Sequence, residues 1–469
     1  MNLSIVPDQV RGLGEAEKDL LRRLLEVFNY HKAKYEVIEK YYEGHITIGD
    51  VNLGIALPEG ISKLSVGCEW GSKAVDVLAA RSMFDGFVTN NGTDAADLQE
   101  LLDANKLKTE YMKACRDELS YGCTFATLSA DLETGCKIRF HSPQTAAATW
   151  NGARGRIEAG MAIIDTVRDE KDQAQWTPSL INLYTDTDVW ELKKEGSIWT
   201  AIRHPHIMGR PLMEPLIWNG TSSKPFGRSR LKAPVRALID DYVRVMINAT
   251  IALEFSTTPQ KYLLGLTDDQ YDAIVGNKFR QYVGSLLAAT QNPETGENPV
   301  FGQLSQGSLE PHIAKLRMTA TQFSSATGLT VTDVGIVNDA NPTSSDAILA
   351  QSQTLVSLAE QLNAGNADAL KTIALMAKAI IKKVPLAGLS DDDKNIIPHF
   401  KNPAMPSVAV TADAAIKIAS ARQNFAATDV FMEMIGFDQA DIRRVKAQEQ
   451  RARGAQVLTE EFRDDNIGE

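Results

Sequence analysis

Apolar side chains recur at steps of three and four from about residue 15 to 43, through Leu20, Leu21, Leu24, Leu25, Phe28, Tyr35, Ile38 and Tyr42. That period marks one face of an α-helix, and Gly44 ends it. The same reading predicts a helix over Trp70 to Phe84, a turn at Asp85-Gly86 into Phe87-Val88, and another helix over Asp97 to Ser120. Between about 121 and 220 the texture changes to short apolar runs separated by turn residues: Thr124 to Leu128, Lys137 to Phe140, Ala162 to Ile164, Leu180 to Tyr184 and Val189 to Leu192. These runs predict an antiparallel sheet with helices beside it, so the expected fold class is α+β.

From Ser229 the helical period returns as a narrow seam through Leu231, Val235, Leu238, Tyr242 and Val245, continuing to Ala249 and Leu253. Arg236, Asp240 and Arg244 stand opposite it as i,i+4 partners. About 28 helical residues span on the order of 40 Å, a length that suits a strut as well as a core helix. A turn-rich segment follows, with a strand-like Lys261 to Leu264, a short helix near Asp268 to Leu287 and a Pro/Gly/Asn stretch from Asn292 to Gly307. Its charges from 257 to 310 are Lys261, Lys278 and Arg280 against Asp268, Asp269, Asp272, Glu294, Glu297 and Glu310, an acidic insertion between two helices.

The second of those helices covers about Glu310 to Ala326, and Gly328 opens a linker, LTVTDVGIVNDANPTSS. A long helix restarts near Ser344, where Thr343 and Asp346 have capping-box spacing, and runs to Pro385 with a bend expected at Asn363 to Asn366. An extended run from Ile396 to Pro403 leads to helices over Ala412 to Asn424, Thr428 to Met434 and Ala440 to Arg453, and then to a polar tail, EEFRDDNIGE, expected to be mobile.

Composition narrows the class. A chain of 469 residues exceeds the size at which one core keeps growing, so two to four subdomains are expected. With 43% apolar and 23% charged residues it reads as globular. No window approaches the roughly 20 apolar residues of a spanning helix, and the first residues lack a basic-then-apolar signal, so the chain is expected to stay in a cytoplasm. A net charge of −11 argues against gripping nucleic acid over most of the surface, though not against DNA that passes without being held. Cys68, Cys115, Cys123 and Cys136 have no framework spacing and are expected to be buried thiols.

Candidate chemistry is sparse. His204 and His206 alternate along one strand, but two imidazoles do not make a metal site. H-E-x-x-H, G-x-S-x-G and G-x-x-x-x-G-K-[ST] do not occur, which leaves no recognised seat for a metalloprotease, a serine nucleophile or ATP hydrolysis. Asp240-Asp241, Asp268-Asp269 and Asp391 to Asp393 are the carboxylate runs a magnesium-dependent nuclease would draw on, yet adjacent helical residues point apart and such runs are more often solvated faces. The basic stretch Lys224 to Lys232 reads more readily as a loop leading into a helix than as a DNA grip. No catalytic residue, metal or cofactor is expected.

Several stretches, in order along the chain, resemble the portal family of long-tailed bacteriophages. They are Tyr41-Tyr-Glu-Gly44, Trp70 to Val88, Ile138-Arg-Phe-His-Ser-Pro143, Pro225-Phe-Gly-Arg-Ser-Arg230, Ala326-Thr-Gly-Leu329 and Asn341-Pro-Thr-Ser-Ser-Asp-Ala347. The resemblance covers about residues 30 to 430. It implies a portal fold divided into wing (1–228), first stem helix (229–256), clip (257–310), second stem helix (311–327), tunnel loop (328–343), long wing helix (344–383) and a wing and crown part (384–469).

The same resemblance implies a ring, of twelve copies in the family, at a capsid vertex of the virion, assembled in the host bacterial cytoplasm. Its partners would be the terminase large subunit, head-completion or adaptor proteins, major capsid and scaffold proteins, and double-stranded DNA read without sequence specificity, with no membrane involved. Carried onto this chain, the DNA channel takes Lys315, Arg317, Thr330, Thr332, Asp333, Asn338, Asp339 and Asn341. Clip contacts take Asp268, Asp269, Asp272, Lys278, Arg280, Glu294 and Glu297. Stem packing takes Leu231, Val235, Leu238, Tyr242 and Val245. The competing readings are another head-assembly adaptor protein and a metal-dependent hydrolase.

Overall fold

In the computed structural model of the chain, every residue is described except 1, 2, 4, 46–65, 90–95, 169–175, 197, 258–260, 267, 268, 270–290, 292–295, 297, 304–306, 336–344, 405–407, 423, 438 and 465–469. The first apolar stripe forms α1 (Glu15–Tyr42), within a residue of its predicted span. Next come α2 (Trp70–Ala79), β1 (Phe84–Val88), α3 (Ala96–Ala104) and α4 (Leu107–Tyr121). The helix predicted to reach Phe84 stops at Ala79 because Phe84 is drawn into β1 as a strand residue. The helix predicted over 97 to 120 is two helices, broken at Asn105 and at Lys106, which has φ +50°. The Asn105 side chain donates to Leu101 O (3.0 Å) and Cys136 O (2.9 Å) and accepts from the Ile138 N–H (2.9 Å), binding the break to a neighbouring strand.

Eight strands follow: β2 (Cys123–Asp131), β3 (Gly135–His141), β4 (Ala146–Asn151), β5 (Arg156–Arg168), β6 (Trp176–Tyr184), β7 (Asp188–Glu195), β8 (Ile198–Pro205) and β9 (Met213–Ile217). They form an antiparallel meander β4-β5-β6-β7-β8 and a three-stranded sheet β3-β2-β9. The α+β expectation holds, and the five predicted runs all fall in strands. β4 and β9 are additional to those runs, and the strand assigned to His204 and His206 is β8, which ends at Pro205 and leaves His206 outside it.

Two helices, α5 (Ala233–Thr257) and α6 (Glu310–Thr327), flank a ribbon of β10 (Lys261–Leu264) and β11 (Val300–Gln303). The long α7 (Ser345–Lys382) and one-turn α8 (Asp391–Lys394) lead to β12 (Ile397–Phe400), which pairs antiparallel with β1. The chain ends in α9 (Val408–Ala421), α10 (Asp429–Met434) and α11 (Gln439–Asp464). The expected polar tail is therefore helical as far as Asp464. At 363–366, where a bend was expected, α7 runs without a break in its helical assignment.

Among the described residues, two buried clusters hold these elements together. Leu21, Leu24 and Phe28 of α1 pack on Met161, Ile181, Leu183 and Leu192 on one face of the five-stranded sheet. The larger core gathers α2, α4, the three-stranded sheet, α5, α6 and α7, and Ile38 of α1 belongs to it. One helix thus spans both cores. Its C-terminal end meets α2 so closely that a Cβ on Gly71 would lie 1.9 Å from Tyr41 O, which only glycine permits. Burial pushes the Cys68 thiol up to about 11 and those of Cys123 and Cys136 to about 12, and all four cysteines are buried and free.

Candidate functional site

The helices α5 and α6 lie side by side, joined through the insertion that β10 and β11 bracket. Val235 and Val245 of the predicted seam are buried, with Leu231 just before the helix, while Leu238 and Tyr242 are half-buried. The observed stripe is broader than a two-position seam, because Ile239, Val243 and Ile247 are buried as well. By Leu253, 48% exposed, the stripe has lost its cover. At the base of the pair, the Trp70 ring sits 4.3 Å from that of Tyr242 and 4.7 Å from that of Phe323, so α2 is wedged against both helices.

Polar contacts along the hairpin differ from the simple ladder expected. Asp240 does not pair with Arg236 and Arg244; its carboxylate accepts from Tyr41 Oη at 2.8 and 3.0 Å. Arg236 donates to Leu231 O (2.7 Å) and lies over the Tyr41 ring. Asp241 ties the two helices together, accepting from Lys315 Nζ (2.7 Å) and Thr319 Oγ1 (2.8 Å). Burial raises the Asp241 carboxyl, but the Lys315 and Thr319 bonds outweigh it and leave it below its ordinary value. The Lys315 charge is therefore engaged within the subunit, while Arg317 is exposed.

After α6 the chain turns sharply at Gly328, φ +72°, whose N–H closes onto Ser324 O (2.8 Å). Leu329 and Val334 are buried and pin the next segment down. Asp333 accepts from the Thr330 N–H (2.9 Å) and hydroxyl (2.7 Å), and its own N–H returns a bond to Thr330 Oγ1 (3.1 Å). Lys73 of α2 donates to Asp333 O (2.9 Å). Residues 328–335 thus form a fastened turn in which the Asp333 carboxylate is turned back on Thr330, with Thr332 exposed. Asn338, Asp339 and Asn341 lie outside the described residues, as do Thr343 and Ser344 at the predicted helix start.

The insertion is described only in part. β10 and β11 pair with Leu264 opposite Val300 and Leu263 opposite Phe301, and Tyr262, Leu264, Val300 and Phe301 are all exposed. Asp269 is exposed, and Asp268, Asp272, Lys278, Arg280, Glu294 and Glu297 lie outside the described residues.

The residues that suggested other chemistry have structural partners. His204 stands 3.6 Å from Glu191 at the surface, and the His206 ring is 3.2 Å from Thr185 O. Among the described residues no group of three or more His, Cys, Asp or Glu is placed to hold a metal ion. In the 391–393 run, Asp393 is enclosed by Lys382 (2.6 Å), Ser390 (2.8 Å) and Lys378 (3.6 Å), and the Lys382 bond holds its carboxyl down to about 2. In the basic stretch, Arg230 is buried: its guanidinium donates to Ala74 O (2.5 Å) and Thr327 O (2.6 Å) and lies over the Trp218 ring. Arg230, Lys73 and Trp70 therefore anchor the hairpin and the turn after it. Sequence reasoning met all three only inside longer stretches and gave none an anchoring role, because each finds its partner far along the chain.

The profile of the family described as "Phage portal protein, SPP1 Gp6-like" matches residues 21–454. The chain belongs to this portal protein family. The matched stretch of the portal chain includes both hairpin helices, the insertion between them and the turn at 328–335. Solved structures similar to the portal chain include the virion of a native gene transfer agent particle, at 13% identity, with a TM-score of 0.44 and covering 75% of this chain and 86% of that one. They also include the neck of the empty particle computed with C6 symmetry, at 12% identity, TM-score 0.46, covering 76% and 87%. The neck of the native particle computed with C12 symmetry has 13% identity, TM-score 0.44 and coverage of 78% and 89%. No curated protein matches the portal chain by sequence.

Proposed function

We propose that this portal chain is a structural subunit of a ring, of twelve copies, at a capsid vertex, forming the channel through which double-stranded DNA is packaged and ejected. The ring serves as the docking platform for the terminase large subunit and for head-completion and tail proteins, and it meets major capsid and scaffold proteins at its rim. It has no catalytic activity of its own. The observation that carries this reading is the family match across residues 21–454.

The geometry supports a division of labour. A two-helix hairpin fixed at its base by Trp70 suits a stem, and the insertion at its far end suits a clip presented to partners. The segment 328–343 is the tunnel loop in this reading: fastened as far as residue 335 and rich in small polar side chains at Thr330, Thr332, Asn338 and Asn341. Uncharged, hydroxyl- and amide-bearing side chains interact weakly with phosphates, as a sliding contact requires, whereas a lysine-lined loop would hold the duplex through counterion release. Arg317 supplies positive charge further along the channel, the Lys315 charge being taken up by Asp241. Assembly takes place in the host cytoplasm, and the product is a virion component.

Purified protein examined by negative-stain electron microscopy and mass photometry tests the proposal. End-on rings with a central channel are expected. A compact monomer at micromolar concentration, in the presence as well as the absence of capsid and scaffold proteins, would overturn it, as would metal-dependent nuclease activity.

A further inference from the structure

Deep in the larger core, α4 and α7 meet through a set of polar side chains for which the portal reading has no role. Glu118 and Asn366 are both fully buried. Asn366 Nδ2 donates to Glu118 Oε2 (2.8 Å) and to Tyr111 Oη (2.9 Å). Tyr111 Oη and Ser82 Oγ are 2.7 Å apart, and Ser82 Oγ donates to Asn363 Oδ1 (2.6 Å). Since the Ser82 proton goes to Asn363, the Tyr111 hydroxyl is the donor to Ser82.

Two oxygens remain: Glu118 Oε1 and Asn366 Oδ1 are buried with no hydrogen-bond partner. An ionised carboxylate here would be a buried charge with a single bond, beside an amide oxygen with none. A proton on Oε1 would give both oxygens a partner when donated to Oδ1, completing with the Nδ2–Oε2 bond a cyclic acid–amide pair. Turning the amide over does not remove the need, because its oxygen would then face Glu118 Oε2 and again set two acceptors against each other.

We propose that Glu118 is a neutral carboxylic acid in the native subunit, and that its proton, donated to Asn366 Oδ1, locks the middle of α7 onto α4. This holds whatever the ring does. The titratable groups around Glu118 are Tyr111 and Cys115 on its own helix and Cys123 on β2, all acids that burial keeps neutral. From α7 the facing group is the Asn366 amide, and from the segment after α2 it is the Ser82 hydroxyl. Arg116, next to Cys115, is engaged with Asp76 at 3.2 Å. Burial moves the Glu118 carboxyl up to about 8, so the lock weakens on the alkaline side of neutrality.

The sign follows from proton linkage: the native state keeps a proton that the unfolded chain releases, so stability falls as pH rises between the two values. The test compares wild type with Glu118→Gln, whose amide reproduces both bonds without a titrating group. Relative to Glu118→Gln, the wild-type unfolding constant is expected to rise about tenfold per pH unit from about pH 5 to about pH 8 in denaturant titrations. Infrared difference spectra of the folded proteins at neutral pH are expected to contain a protonated-carboxyl band in wild type that is missing in Glu118→Gln. Parallel pH profiles for the two proteins, no such band, or failure of Glu118→Gln to fold would each overturn the proposal.

Discussion

At the scale of single residues, the portal chain places charge where it fastens backbone. Arg230 is the clearest case, because it donates to two carbonyls from different elements, Ala74 O within α2 and Thr327 O at the end of α6. Burial pushes its guanidinium down to about 10, still far above neutrality, so the charge persists inside the core. Replacing it by Met removes the charged donor from both carbonyls. Arg230→Met is expected to lower stability by about 1.5–3 kcal/mol in denaturant unfolding, the range for losing hydrogen bonds made by a charged group. Arg230→Lys should recover only part, since a single ammonium does not reproduce two divergent donors.

At the scale of elements, the hairpin depends on the Trp70 wedge and on Asp241. Trp70→Ala removes an aromatic side chain from between Tyr242 and Phe323, and a loss of about 3–5 kcal/mol is expected. Asp241→Asn should cost only about 0.5–1 kcal/mol, because Asp241 and Lys315 are both partly solvated. The Asp241 contribution has a pH signature: with its carboxyl below the ordinary value, it is present above about pH 4 and is lost as pH falls through the depressed folded value. A pH series of unfolding curves for Asp241→Asn against wild type reads it directly.

Those contacts also mark what was legible in the sequence. α1, α5 and α6 were readable to within a few residues, because a helix that buries one face writes its period into the chain. The continuity of α7 was not. Asn363, Gly365 and Asn366 lower helix propensity, and nothing local reveals that Asn363 meets Ser82 and Asn366 meets Tyr111 and Glu118, residues more than 240 positions away. The break at Asn105 was hidden for the same reason, its partners being Cys136 and Ile138 on β3. At the candidate site, the order of segments was legible, but the direction of Asp333 and the engagement of Lys315 were not, since both depend on which neighbour the side chain finds.

At the scale of the whole molecule, the proposed ring makes a demand that separates two parts of the 328–343 segment. The turn at 328–335 is fastened by Leu329, Val334 and the Lys73 bond to Asp333, contacts made entirely within one subunit. Shortening the chain there would disturb the base of the α5–α6 hairpin, because Arg230 holds the same end of α6. Deleting residues 336–341 instead spares every one of those contacts. Such a variant is expected to assemble into rings indistinguishable from wild type by mass photometry, yet to yield heads that do not package or retain DNA. Deleting 330–335 is expected to impair folding or ring assembly itself. If heads built with the 336–341 deletion fill normally, the loop assignment fails while the stem assignment stands. If both deletions abolish the ring, the segment is part of the subunit interface, and its role lies in assembly rather than in the passage of DNA.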